Sequence, residues 1–145
     1  MKKKYYIIVL FLVLTIFISG CSGGIPTTPG TNSEGETNVK SVIYEYFLAI
    51  SYQNWSKAKS YCVYGSDRYY ATATMEQFAN DLAQYGGGTI SCLVDISNVS
   101  ITDSTAQAHI SLNIIYSFGG YYYTESGSAY YYLQKVGNEW KIYGP

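Results

Sequence analysis

Glu125 stands in Tyr121-Tyr122-Tyr123-Thr124-Glu125-Ser126-Gly127, which holds one of two triple-tyrosine runs in a chain that carries 18 tyrosines. A carboxyl group turned into an aromatic pocket loses hydration, and desolvation raises its pKa toward the range useful for proton transfer. Period-two alternation puts Glu125 on one face with Tyr116, Tyr123, Tyr131 and Trp140, and these five form the candidate ligand pocket. A bulge at Gly127 is the competing arrangement, since it turns Glu125 to solvent. The acid has no evident companion. His109, the single histidine, falls on the opposite face across from Tyr130, and Asp81 and Asp95 lie elsewhere. No Cys-x-x-Cys or His-x-x-x-His spacing gathers metal ligands, and Gly86 to Gly88 follows a helix rather than opening one, so neither a metal nor a phosphate cofactor is expected. Glu125 is thus the only catalytic candidate, and a weak one.

A second chemistry belongs to Cys21. Lys2, Lys3 and Lys4 precede an apolar run from Tyr5 to Ile18, followed by the small pair Ser19 and Gly20. This is the three-part order of a secretory signal, and the run is shorter than the roughly 20 residues a helix needs to span a bilayer. Ile18-Ser19-Gly20-Cys21 resembles the lipobox of bacterial lipoproteins. The resemblance implies a diacylglyceryl group on the Cys21 thiol and cleavage that makes Cys21 the first residue. The chain is thus divided into signal peptide over 1–20, acylated cysteine and tether over 21–38, and a folded domain over 39–145, the last two bounds resting on composition and period. The expected location is the extracytoplasmic side of a cell membrane, held by lipid chains at about 0.8 kcal/mol per buried CH₂.

Removing the signal leaves six basic residues against ten acidic ones, a net charge of about −4. A mildly acidic surface excludes nucleic acid and anionic lipid as partners, because both reward clustered Lys and Arg. With Cys21 given to lipid, Cys62 and Cys92 remain as an even pair in an oxidising compartment. A disulfide is expected, worth about 3 kcal/mol for a loop of roughly 30 residues; two separately buried thiols are the alternative. Asn54-Trp55-Ser56 and Asn98-Val99-Ser100 fit the glycosylation sequon, a triplet common by chance.

The elements that must position these groups follow from composition and period. Residues 22–38 are Gly, Ser, Thr, Pro, Asn and Glu with few apolar side chains, and read as a tether. Val39, Val42, Ile43, Tyr46, Phe47 and Ile50 then recur at helical spacing to about Ser51. Asn54 is a plausible N-cap for a short second helix through Ala58 to Cys62. A loop is expected over 65–70. Thr74-Met75-Glu76-Gln77 matches a capping box, which predicts a third helix starting there with Phe78, Leu82 and Tyr85 on one face.

Past Gly88 the period changes to two. Cys92 to Ile101 reads as a strand with a turn at Asp103, Ser104 and Thr105, and Ala106 to Tyr116 alternates apolar with polar residues. A two-residue turn at Gly119-Gly120 sets Ala108 opposite Tyr131, Ile110 opposite Ala129 and Leu112 opposite Gly127. A turn at Gly137-Asn138 sets Leu133 opposite Ile142 and Lys135 opposite Trp140. Both registers put the same face inside, which a one-residue slip would reverse.

The helical run ending in Tyr46-Phe47-Leu48-Ala49-Ile50, the segment Asn54-Trp55-Ser56-Lys57-Ala58, and the closing stretch Leu133 to Ile142 together resemble the nuclear transport factor 2-like superfamily, particularly its small lipoproteins. The resemblance covers about 39–143. It implies an α+β cone, three helices packed into a curved antiparallel sheet, often with a pocket at the wide end. Some members are isomerases, dehydratases or cyclases, and others bind ligands or pair with themselves, so fold alone does not choose. On the outer face, Ile115, Tyr122, Tyr130, Tyr132 and Tyr143 form an aromatic patch of the kind that marks contact surfaces, with cross-strand pairing within one sheet as the plainer reading. A second copy of the sheet, another envelope component or a small ligand are the candidate partners. The expected function is non-catalytic binding, then assembly through the sheet, then small-molecule catalysis.

Overall fold

The structure, a computed structural model, describes residues 33–84 and 86–145. The signal run, Cys21 and most of the expected tether lie outside the described residues. Helix α1 spans Ser33–Ser51 and so begins six residues before Val39. Glu34 and Glu36 occupy its first turn, where carboxylates complement the helix dipole, and Glu36 pairs with Lys40 at 2.6 Å. Its inward stripe is the expected one: Val39, Ile43, Tyr46, Phe47 and Ile50 are all buried.

Helix α2, Trp55–Ser60, is capped as expected, with the Lys57 N–H donating to Asn54 Oδ1 at 3.1 Å. Helix α3 spans Asp67–Ala83 and starts seven residues before Thr74. Ser66 is its N-cap and accepts from the Tyr69 N–H, while Thr74 lies inside the helix and donates to the Tyr70 carbonyl. The capping box is therefore not used, and the expected loop over 65–70 is partly helix. The buried stripe explains why: Arg68, Thr72 and Met75 are inward, and Phe78 and Leu82 are only half-buried.

Four strands follow: β1 Gly88–Thr102, β2 Thr105–Phe118, β3 Tyr121–Val136 and β4 Glu139–Gly144. They form one antiparallel sheet in chain order. Gly119 and Gly120 both take positive φ, 58° and 83°, the geometry a two-residue hairpin demands. The pairs Ala108 with Tyr131, Ile110 with Ala129, Leu112 with Gly127, Leu133 with Ile142 and Lys135 with Trp140 all form as the two turns dictate. The β2–β3 register runs unbroken from Thr105 to Phe118, so no bulge occurs at Gly127. The three helices pack on the inner face, with α1 against β1 and α3 against β4. This is an α+β fold of three helices on an open four-stranded antiparallel sheet.

Cys62 and Cys92 are both free thiols, a correction to the expected disulfide. Cys62 forms a parallel bridge with Ile142 beyond β4, whereas Cys92 lies on β1 at the other edge of the sheet. Neighbouring strands stand about 4.8 Å apart and a disulfide needs Cα atoms within about 7 Å, so the intervening strands keep the sulfurs separate.

Candidate functional site

The five inward residues share a face but do not surround one cavity. Tyr131, Trp140 and Tyr116 are 1 %, 6 % and 9 % exposed and belong to the core, whereas Tyr123 is 45 % exposed and Glu125 half-buried. Glu125 sits across from Ile114, and Tyr123 across from Tyr116, near the β2–β3 turn. Six residues of strand separate Glu125 from Tyr131, about 20 Å at the rise of a β-strand. Trp140 lies further still, opposite Lys135 at the far end of β3. Partial burial raises the Glu125 carboxyl above its usual range, and the buried Tyr116 phenol is raised chiefly by burial, then by Cys92 and Glu125 nearby. The two groups are brought near each other on the inner face, and among the described residues no histidine or second carboxylate joins them there.

The most concentrated polar chemistry is a buried cluster centred on Arg68, which lay in the expected loop. Its guanidinium carbon stands 4.3 Å from the Tyr131 ring centroid and 6.0 Å from that of Tyr46, within cation–π range of both faces. Thr72 donates to the Arg68 carbonyl at 2.7 Å, which leaves its oxygen to accept from the Tyr46 hydroxyl at 2.9 Å. The Cys62 thiol lies 3.7 Å from the Ala58 carbonyl and 3.9 Å from Thr72 Oγ1. The Tyr131 hydroxyl is buried without a hydrogen-bond partner among the described residues.

Burial works against the Arg68 charge, but Tyr131, Tyr46 and Cys62 around it hold its pKa above the ordinary value. Burial likewise pushes Tyr46 and Tyr131 up, and Arg68 only partly offsets this. The Cys62 thiol is pushed up to about 11 by burial, more than Thr72 and Arg68 lower it. At neutral pH the cluster is one cation among neutral hydroxyls and a neutral thiol. It holds no activated nucleophile, since the thiolate is the reactive form. Sequence reasoning missed Arg68 because apolar periodicity does not count arginine, although Arg68, Thr72 and Met75 recur at helical spacing.

A separate groove of about 990 Å³ opens beside the β1–β2 and β3–β4 turns. Its walls are the first turns of α1, Lys57 and Tyr61, Ile101 and Asp103 beside the β1–β2 turn, and the β3–β4 turn with Trp140. Lys57, Lys135 and Lys141 balance Glu34, Asp103 and Glu139 in its lining. Lys57 is tied to Glu45 at 3.0 Å, Lys141 to Glu139 at 2.7 Å, and Lys135 lies 5.2 Å from the Trp140 ring centroid. Within the lining Lys141 and Glu139 form an ion pair, and the groove holds no histidine. Among the described residues no three His, Cys, Asp or Glu side chains gather as a metal site.

On the outer face Tyr122 and Tyr130 are 75 % and 40 % exposed, and Ile115, Tyr132 and Tyr143 are half-buried. Tyr130 stands edge-on to His109 at 5.0 Å between centroids, and Tyr132 tilts against Tyr143 at 6.2 Å. His109 bonds Ser97 at 3.2 Å. Ser91, Ser111, Asn113, Ser117, Thr124, Ser126 and Ser128 fill the intervening positions, and across β1 to β3 Asp95 is the one carboxylate on this face.

No family model matches the chain, and no curated protein matches it. Solved structures do. A nuclear transport factor 2-like protein with a cystatin-like fold from Novosphingobium aromaticivorans aligns at TM-score 0.59 and 12% identity, over 77% of this chain and 79% of that one. A candidate dehydratase of the same family from Streptomyces avermitilis aligns at 0.60 and 16%, over 78% and 94%. A ketosteroid isomerase-like protein from Erwinia carotovora aligns at 0.59 and 11%, over 78% and 93%. At these identities the likeness establishes the fold: nuclear transport factor 2-like, cystatin-like α+β.

Proposed function

We propose that this chain is a lipid-anchored protein of the extracytoplasmic face of a cell membrane, whose domain binds an envelope component through the tyrosine-bearing outer face of its sheet without catalysing a reaction. The observation that carries the reading is the contrast between the two faces. The inner face is occupied by Tyr46, Phe47, Arg68 and Tyr131, each at most 3 % exposed, while Tyr122 and Tyr130 stand open on a face nearly free of charge. Tyrosine offers broad apolar contact with a hydrogen-bonding tip at little entropic cost, which suits recognition. Anchoring rests on the lipobox at Cys21.

The fold neighbours include dehydratase and isomerase-like proteins, so catalysis is the second reading, and the raised Glu125 carboxyl beside Tyr116 is the observation that favours it. Catalysis needs an acid or base within hydrogen-bond reach of substrate, and Glu125 stands about 20 Å along β3 from Tyr131, outside any enclosed cavity with it.

Photo-crosslinking in intact cells tests the binding reading. A photoreactive side chain at Tyr122 or Tyr130 is expected to give a discrete adduct that the same group at Tyr52, exposed on the helical side, does not give. Equal labelling at all three positions, or none at the sheet, would overturn the proposal. Cys21→Ser is expected to release the chain from the membrane fraction, and retention there would remove the anchoring part.

A further inference from the structure

The two long edges of the sheet are treated differently. Strand β4 pairs with β3 only over Tyr132 to Val136, so Tyr121 to Tyr131 has β2 on one side and, among the described residues, no strand on the other. Alternate N–H and C=O groups of those eleven residues point away from β2 and are open to a further strand.

Protein edges are normally blunted by proline, lysine, bulges or covering elements. The β1 edge follows that rule. Ser51 Oγ takes the Cys92 N–H at 2.9 Å, the Gln53 side-chain amide caps the Gly88 carbonyl at 2.9 Å, and the strand is irregular between Ser97 and Ser100. The β3 edge carries none of these devices. It has no proline, lysine or bulge, and Glu125 is its single charge.

We infer that this edge pairs with the same edge of a second copy of the chain, antiparallel about a two-fold axis at Ser126. In that register Tyr122 meets Tyr130 and Thr124 meets Ser128 on the outer face, while Tyr123 meets Ala129 and Glu125 meets Gly127 on the inner face. Tyr123 and Glu125 thus oppose small residues, as Ile110 opposes Ala129 and Leu112 opposes Gly127 within one copy, while Tyr122 and Tyr130 form a cross-strand aromatic pair on the outer face. An axis at Ser126 is the one that pairs all eleven free residues, 121–131; moving it to Glu125 sets the two carboxylates directly against each other, which is destabilising, and a parallel in-register pair does the same. Pairing two sheets by their β3 edges builds one continuous sheet of eight strands and joins two tyrosine faces into one surface. It employs the edge backbone, whereas partner binding employs the face, so either reading can fail alone.

Cysteine crosslinking of the full chain in membranes tests the pairing. Ser126→Cys is expected to convert monomer to a disulfide-linked dimer on mild oxidation, because the two sulfurs meet at the axis, within the span a disulfide closes. Co-expressed Thr124→Cys and Ser128→Cys chains are expected to link to each other. Ser111→Cys, at the centre of the outer face, and Tyr52→Cys are expected to remain monomeric. Linking through Ser111 in place of Ser126 would mean face-to-face pairing, and failure of both the Ser126 and the Thr124–Ser128 pairs to link would mean no edge pairing; either result overturns the inference. Ser126→Lys, an exposed change that sets like charges at the axis, is expected to abolish the link between Thr124→Cys and Ser128→Cys chains while leaving the circular dichroism spectrum unchanged.

Discussion

Arg68 is the residue that separates a structural from a ligand-binding interior. Burying a guanidinium costs several kcal/mol, and the faces of Tyr131 and Tyr46 return a part that rises to about 2 kcal/mol or more per contact when desolvated. Burial is the first influence on its charge and opposes it, and the phenols of Tyr131 and Tyr46 only offset that cost. Arg68→Met, which keeps most of the volume, is therefore expected to leave the urea midpoint unchanged or raised. Arg68→Ala is expected to cost about 3 kcal/mol through the cavity it opens. Equilibrium unfolding of both variants checks this. Loss of several kcal/mol in Arg68→Met, comparable to Arg68→Ala, would show that the charge itself holds the core together. Crosslinking at Tyr130 adds a second readout: partner capture by folded Arg68→Met is expected to persist, since the cation lies beneath the sheet and the proposed contact above it.

At the scale of elements, the two candidate starts of α3 make opposite demands. Ser66 accepts the Tyr69 N–H at the true N-cap, and Thr74 bonds back to a carbonyl within the helix. Ser66→Ala is expected to cost about 1 kcal/mol, and Thr74→Ala to stay within about 0.5 kcal/mol of the parent in the same denaturant titration. The reverse ranking would restore the capping box. The strands were far more legible than this helix, for a physical reason. A strand's face has period two and each hairpin turn fixes its register, so Gly119-Gly120 and Gly137-Asn138 together determined every β2–β3 and β3–β4 pair named from sequence. The inward stripe of α3 opens with Arg68 and Thr72, side chains whose burial depends on Tyr46 and Tyr131 arriving from other elements. No local pattern announces that. The candidate pocket failed to close for a related reason: alternation says which face a residue takes, but not how far along a 16-residue strand it stands from its companions.

Across the whole molecule, the buried acidic protons make stability sensitive to alkali. Burial pushes the Cys62 thiol from 9.0 up to about 11, and the Cys92 thiol from 9.0 up to about 12 with Ser51 lowering it slightly. Tyr46, Tyr116 and Tyr131 are raised by burial as well. A group whose pKa is raised by folding gives up its proton first in the unfolded chain. Its contribution is complete below the unfolded value and is lost as the pH climbs through the folded one. For the thiols that window opens near pH 9 and closes near 11 for Cys62 and near 12 for Cys92. By pH 11 each thiol is expected to have withdrawn on the order of 2 kcal/mol, a large share of the 5 to 15 kcal/mol that holds a domain of ordinary size. Urea midpoints are thus expected to be level from pH 7 to 8.5 and to fall steadily above 9, with the buried phenols steepening the fall past 10. A disulfide between Cys62 and Cys92 would abolish the first part of that decline, because a bonded sulfur has no proton to lose. Replacing both cysteines by alanine is expected to do the same while retaining the phenol limb, although its midpoint begins lower for the lost packing. A parent chain whose midpoint stays level to pH 10, and whose sulfurs do not react with a thiol reagent after denaturation, would show that the two cysteines are bonded after all.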